Sequence, residues 1–126
     1  MLRVSVLAAA LVLSSCGTEP MRKVHEFMQP NKGQTALNAG LKQYEDGEYA
    51  ASLKNLQGAI DQGLADADRI VAHKHVAFIY CVSNRERQCR DEFRKALAID
   101  PAMQLAPEEA GHPVWGPVFR SVKAGH

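Results

Sequence analysis

The stretch Val71–Pro101 limits this chain more than any other. It holds two amphipathic helical runs separated by a short polar turn. It ends at Asp100-Pro101, because the residue before a proline is driven out of the helical region. A weaker copy, Thr35–Gly63, lies just before it. Apolar stripes of this period must be buried against another element, and the periodic runs of this chain are all helical, so the expected fold class is all-α.

The pattern places four helices. The first runs over Gln34–Glu45, with Leu37, Leu41 and Tyr44 at helical spacing and Ala36, Ala39 and Gly40 on the neighbouring face. Asp46-Gly47-Glu48 turns the chain. The second covers Tyr49–Gln62, with Leu53, Leu56 and Ile60 on one stripe and Gly63 as its stop. The third covers Ala67–Val82, with Val71, Ala72, Val76, Ile79 and Tyr80 apolar, and Ser83-Asn84-Arg85 turns the chain again. The fourth covers Glu86–Ile99, with Cys89, Phe93, Ala96 and Leu97 on its apolar side.

These residues resemble the tetratricopeptide repeat, whose pattern runs Trp-x2-Leu-Gly-x2-Tyr, then Ala-x3-Phe, then Pro. The second copy has His73, Val76, Ala77 and Tyr80, then Cys89, Phe93, Ala96 and Pro101, in register. The first has Ala36, Ala39, Gly40 and Gln43, then Tyr49, Ser52, Leu56 and Ala59. Gly40 and Ala77 must be small for paired helices to approach; Ser52 and Cys89 are the small residues facing them. Leu56 and Phe93 fill the space between. Two departures stand out. Leu64 replaces the closing proline of the first copy, and the copies lie 37 residues apart where the family has about 34. The excess falls in Leu64–Arg69. The resemblance covers about 70 of the 111 residues from Cys16 onward and implies two tetratricopeptide-like helical hairpins. A generic pair of helical hairpins is the plainer alternative.

Two repeats rarely close a core without an end unit. The tail can supply a C-terminal capping helix. After a loop over Ala102–Gly111, Pro113 or Pro117 suits a first helical turn, and Trp115, Val118, Phe119 and Val122 recur at helical spacing. Trp115, the only tryptophan, could instead serve a partner.

The N-terminus reads as an export signal. Arg3 precedes a ten-residue apolar run, Val4–Leu13. As a helix the run spans about 15 Å, half of the roughly 30 Å hydrocarbon core. Leu13-Ser14-Ser15-Cys16 resembles a bacterial lipobox, which implies a signal peptide over 1–15 and a diacylglycerol thioether on Cys16. An ordinary secreted protein cut near Ser14-Ser15, or an uncleaved anchor, is the alternative. Two or more acyl chains give stable anchoring. Gly17 follows, where lipoprotein-sorting rules use Asp for inner-membrane retention. The expectation is therefore a lipid anchor in the outer membrane, facing the periplasm. Residues 16–33, with Pro20, Pro30 and Gly33, read as a lipidated tether, and 34–126 as the repeat domain. Val24, Phe27 and Met28 could dock on that domain, and Arg22 and Lys23 could touch headgroups; a solvated linker explains them equally.

With Arg3 removed, 14 basic residues face 14 acidic ones. A neutral chain that is 6% aromatic has no electrostatic footprint for nucleic acid. Cys81 and Cys89 remain as a pair in an exported chain, which suggests a disulfide; two buried small residues are the other reading, since packed helix axes stand wide for a bridge. His73 and His75 point apart on one helix, so no metal site is expected. Glu108 and Glu109 read as first-turn charges. No phosphate loop, catalytic triad or cofactor site is evident, and no enzymatic activity is expected.

In the repeat family the first helix of each pair lines a concave groove. Carried over, that implies Leu37, Leu41, Tyr44, Lys74 and Phe78 as groove residues. Leu37 and Leu41 stand where some relatives carry a clamp for peptide carboxylates, which favours an apolar helix or extended segment as guest. Alternatively the tether or the capping helix fills the groove. The Tyr80-Cys81 and Cys89-Arg90 hairpin, with the tail from Glu109 to Phe119, resembles the type VI secretion-associated lipoprotein (TssQ) family. That resemblance implies a scaffold with envelope protein partners; a lipoprotein assembling outer-membrane proteins or pili is the alternative. Oligomeric state is not legible.

Overall fold

The computed structural model describes residues 31–125. The expected signal peptide, the Cys16 lipid site and the tether as far as residue 30 lie outside the described residues. Within them the chain forms α1 (Lys32–Glu45), α2 (Tyr49–Gln62), α3 (Asp66–Val82), α4 (Glu86–Ile99), α5 (Pro107–Ala110) and α6 (Trp115–Ala124). The fold is all-α: α1 packs on α2 and α3 on α4 as two tetratricopeptide-like hairpins, α3 stacks on α2, and α6 caps α4.

The two hairpin turns are structural copies. In the first, Gly47 has φ +76° and the Glu48 N–H donates to the Gln43 carbonyl at 2.8 Å. In the second, Asn84 has φ 60° and the Arg85 N–H donates to the Tyr80 carbonyl at 2.8 Å. Each donor reaches five residues back, the bond that closes a helix through a left-handed residue. Glycine takes that conformation without strain, and asparagine is among the few other residues that tolerate it.

The excess length between the copies is helical. α3 has 17 residues against 14 in α1, and the addition is a first turn carrying Asp66 and Asp68, a favourable charge for a helix N-terminus. At the other boundary α1 begins at Lys32, two residues before the expected start. Asn31 is the reason: its side chain accepts from the Gln34 N–H at 2.7 Å. Lys32 and Gly33, read above as tether, therefore belong to the helix. The expected loop Ala102–Gly111 contains the single turn α5, opened by Pro107.

Two apolar clusters form the core. Leu37, Leu56, Ala59, Ala72, Val76 and Ile79 join the first hairpin to α3. Phe78, Cys89, Phe93, Leu97, Phe119 and Val122 are among those that join the second hairpin to α6. Tyr44 and Tyr80 pack against both. Leu56 and Phe93 are fully buried, each contributing roughly 1.5–3 kcal/mol of transfer free energy. Between α1 and α2, a Cβ on Gly40 would lie 2.8 Å from the Leu56 side chain. The Ser52 hydroxyl, also buried, donates to the Gly40 carbonyl at 2.6 Å.

Candidate functional site

The inner face of α1 and α3 carries a row of rings. Tyr49, 40% exposed, stands 5.7 Å from Tyr44. Tyr44 meets His75 edge-on at 5.0 Å, and His75 meets Phe78 at 5.6 Å. Phe78 lies flat against Trp115, ring centres 4.1 Å apart, and Trp115 stacks on His112 at 3.4 Å. Hairpin geometry sets the first contact. Tyr44 lies in the last turn of α1 and Tyr49 begins α2, so the turn brings one ring against the other.

The C-terminal segment closes one end of this row. Glu109 of α5 pairs with Lys74 at 3.1 Å, both side chains about four-fifths buried. It also accepts from the Ala106 N–H at 2.9 Å, so the carboxylate that holds α5 in shape is the one that ties it to α3. The Trp115 indole N–H donates to the Glu109 carbonyl at 2.8 Å. Trp115 is thus a capping residue with a satisfied polar end, the arrangement a half-buried indole requires.

This placement corrects the expected groove. Leu37 is 2% and Phe78 1% exposed; both are core residues and offer no surface to a guest. Lys74 is engaged by Glu109. Leu37 is buried where α1 meets α2 and α3, and the tail, absent from the repeat pattern itself, covers Phe78 and Lys74 on α3. Leu41 and Tyr44 remain partly accessible on the first repeat, and Tyr49 joins them.

Burial is the main cause that pushes the Tyr44 hydroxyl up to about 12, with Tyr49 and Glu109 adding to it. Burial likewise holds His75 below its ordinary value, only partly opposed by the bond its Nδ1 donates to the Val71 carbonyl at 2.8 Å. Tyr44 and His75 are thus both biased toward their neutral forms, suited to apolar and aromatic contact.

Between α3 and α4 lies a polar pair that the repeat pattern does not announce. His73 Nδ1 donates to Glu92 Oε2 at 2.6 Å, both side chains nearly buried. Lys95 donates to the other carboxylate oxygen at 2.9 Å. Burial works to raise Glu92, but the bonds from His73 and Lys95 outweigh it and hold the carboxyl below its ordinary range. No periodic signal could have paired residues 19 apart; only the antiparallel hairpin brings them together.

Cys81 and Cys89 are joined by a disulfide across the second turn, with Cα atoms 5.2 Å apart. Each Cα lies about 2.3 Å off its helix axis, so residues on facing sides of two packed helices stand much closer than the axes do. Among the described residues no three His, Cys, Asp or Glu side chains gather as metal ligands, and no helix is long and apolar enough to cross a membrane.

Over 79 residues, 61% of its length, the chain is 30% identical to the photosystem I assembly protein Ycf3 of Synechococcus sp. (strain CC9605) and covers 46% of that protein. It thus spans about half the length of the curated relative it matches. No family model matches the sequence, and no solved structure matches it significantly.

Proposed function

We propose that this chain is a non-enzymatic, lipid-anchored scaffold of the bacterial envelope, accessory to type VI secretion, that holds protein partners on the first-repeat end of its inner face. The observation that carries the reading is the asymmetry of the ring row. Its own tail covers Phe78, while Tyr49 stands 40% exposed beside Tyr44. A half-exposed tyrosine pair is the kind of rigid, amphipathic surface that protein interfaces favour. Similarity to a protein named for assembly supports an interaction role. The lipobox-like Leu13–Cys16 supports the anchor, and the hairpin and tail resemblance supports the secretion setting.

The test places a photo-crosslinking residue at Tyr49 in the native host and identifies the captured proteins. Capture of type VI membrane-complex or baseplate components is the expected result. Capture of outer-membrane assembly or pilus proteins would move the scaffold to that setting. In parallel, Cys16→Ala is expected to release the folded chain from membranes; retention in the membrane fraction would remove the anchor from the reading.

A further inference from the structure

A second surface, away from the ring row, has the form of a ligand site. Between the loop that follows α4, α5 and α6 lies a cleft of about 390 Å³, within the size range of small-molecule sites. Leu105 and Phe119, 8% and 4% exposed, give it an apolar floor. Ala110 and Ala124 are too small to fill it.

Two cations stand at its rim, Arg120 and Lys123. Arg120 donates to the Ala110 carbonyl at 3.2 Å. Lys123 donates to the Met103 carbonyl and sits 6.0 Å from the Phe119 ring centre. Among the described residues neither has a carboxylate partner, since every ion pair lies elsewhere. On α4, by comparison, Arg90, Arg94 and Lys95 each pair with an acid on their own helix, whereas Arg87 does not. An apolar cleft under two positive charges that no carboxylate among the described residues pairs with complements a ligand with an apolar body and an anionic end.

The polar groups narrow the class further. A peptide laid in the cleft needs partners for its own amides. The carbonyls of Ala110 and Met103 are already held by Arg120 and Lys123, and Gln104 is the sole uncharged polar side chain in the lining. A chain without polar groups along its length avoids that cost. We propose that this cleft binds an unbranched apolar chain ending in a carboxylate. The chain lies over Leu105 and Phe119, and the carboxylate sits between Arg120 and Lys123.

The experiment titrates decanoate into the full chain carrying Cys16→Ser, so that no detergent competes. Calorimetry and the amide resonances of Ala110, Phe119 and Ala124 report binding, and a circular-dichroism melt checks the fold of each variant. Saturable binding with Kd below about 1 mM is expected, with decanol at least about tenfold weaker because it lacks the charge. Arg120→Gln with Lys123→Gln is expected to abolish the preference for decanoate over decanol. Ala124→Leu, which fills the cleft from its exposed edge, is expected to block both ligands. No saturation, equal binding of decanol, or decanoate binding unchanged in Ala124→Leu would each overturn the proposal. So would preferential binding of a short peptide ending in a leucine carboxylate, which would assign the cleft to protein termini.

Discussion

Trp115 lies flat on Phe78, their ring planes 20° apart and their centres at 4.1 Å, although 37 residues separate them in the chain. This stack joins the tail to the second repeat. Trp115→Ala is expected to cost about 3 kcal/mol, the low end for a large aromatic truncation because the indole is only partly buried. Trp115→Phe keeps the stack but loses the bond to the Glu109 carbonyl, an expected loss of about 1 kcal/mol. Urea unfolding of both variants measures the difference; equal losses would place the energy in the hydrogen bond.

Phe93 is fully buried and meets both Phe78 and Phe119 edge-on. Phe93→Ala is expected to destabilise by about 3–5 kcal/mol. An unchanged melting curve would refute its place as the centre of the second cluster.

The Cys81–Cys89 bridge closes a short loop, the two cysteines being eight residues apart. Chain entropy gives that closure about 2–3 kcal/mol. The double substitution Cys81→Ala, Cys89→Ala is expected to lose that amount in urea unfolding. A reductant is expected to destabilise the wild type and leave the double variant unchanged.

Glu92 supplies a pH dependence of known sign. Its folded carboxyl titrates below the ordinary value of 4.5, so the unfolded chain binds the proton first as pH falls. The stabilisation is present in full above about pH 4.5 and is lost as pH drops through the folded value. Glu92→Gln is expected to flatten stability against pH below that point, read by denaturant midpoints from pH 6 to about pH 3. A slope identical to wild type would sink the assignment.

His75 acts in the same direction at higher pH. Burial lowers it from 6.5, so the unfolded chain takes up the proton first and stability falls as pH drops below about 6.5. His75→Phe is expected to remove that part of the slope and keep the ring contacts with Tyr44 and Phe78.

The helical pairs are legible because their signals are local. Asp46-Gly47-Glu48 and Ser83-Asn84-Arg85 mark the turns, and Asp100-Pro101 marks a stop. The pattern accordingly places α2 and α4 at their observed bounds. The start of α1 was equally local, in Asn31 and Gln34, but the prolines before it read as tether. The role of Gly33 was not local at all. A Cβ there would strike the Gly63 carbonyl oxygen at the far end of the hairpin, a close approach that no pattern in residues 30–34 records.

The sequence by itself determined the two hairpins and the capping helix, and which stripe of each helix is apolar, because backbone preference and a 3.6-residue period act within a few residues. It could not divide those stripes into core and open surface. Leu37, Leu41, Tyr44, Lys74 and Phe78 share one helical register, yet Leu37 and Phe78 are buried and Lys74 is paired. That division is tertiary: α2 and α3 enclose Leu37, and Glu109 and Trp115 come to rest on Lys74 and Phe78; such contacts follow from helix packing and chain reversal, which a local period does not encode.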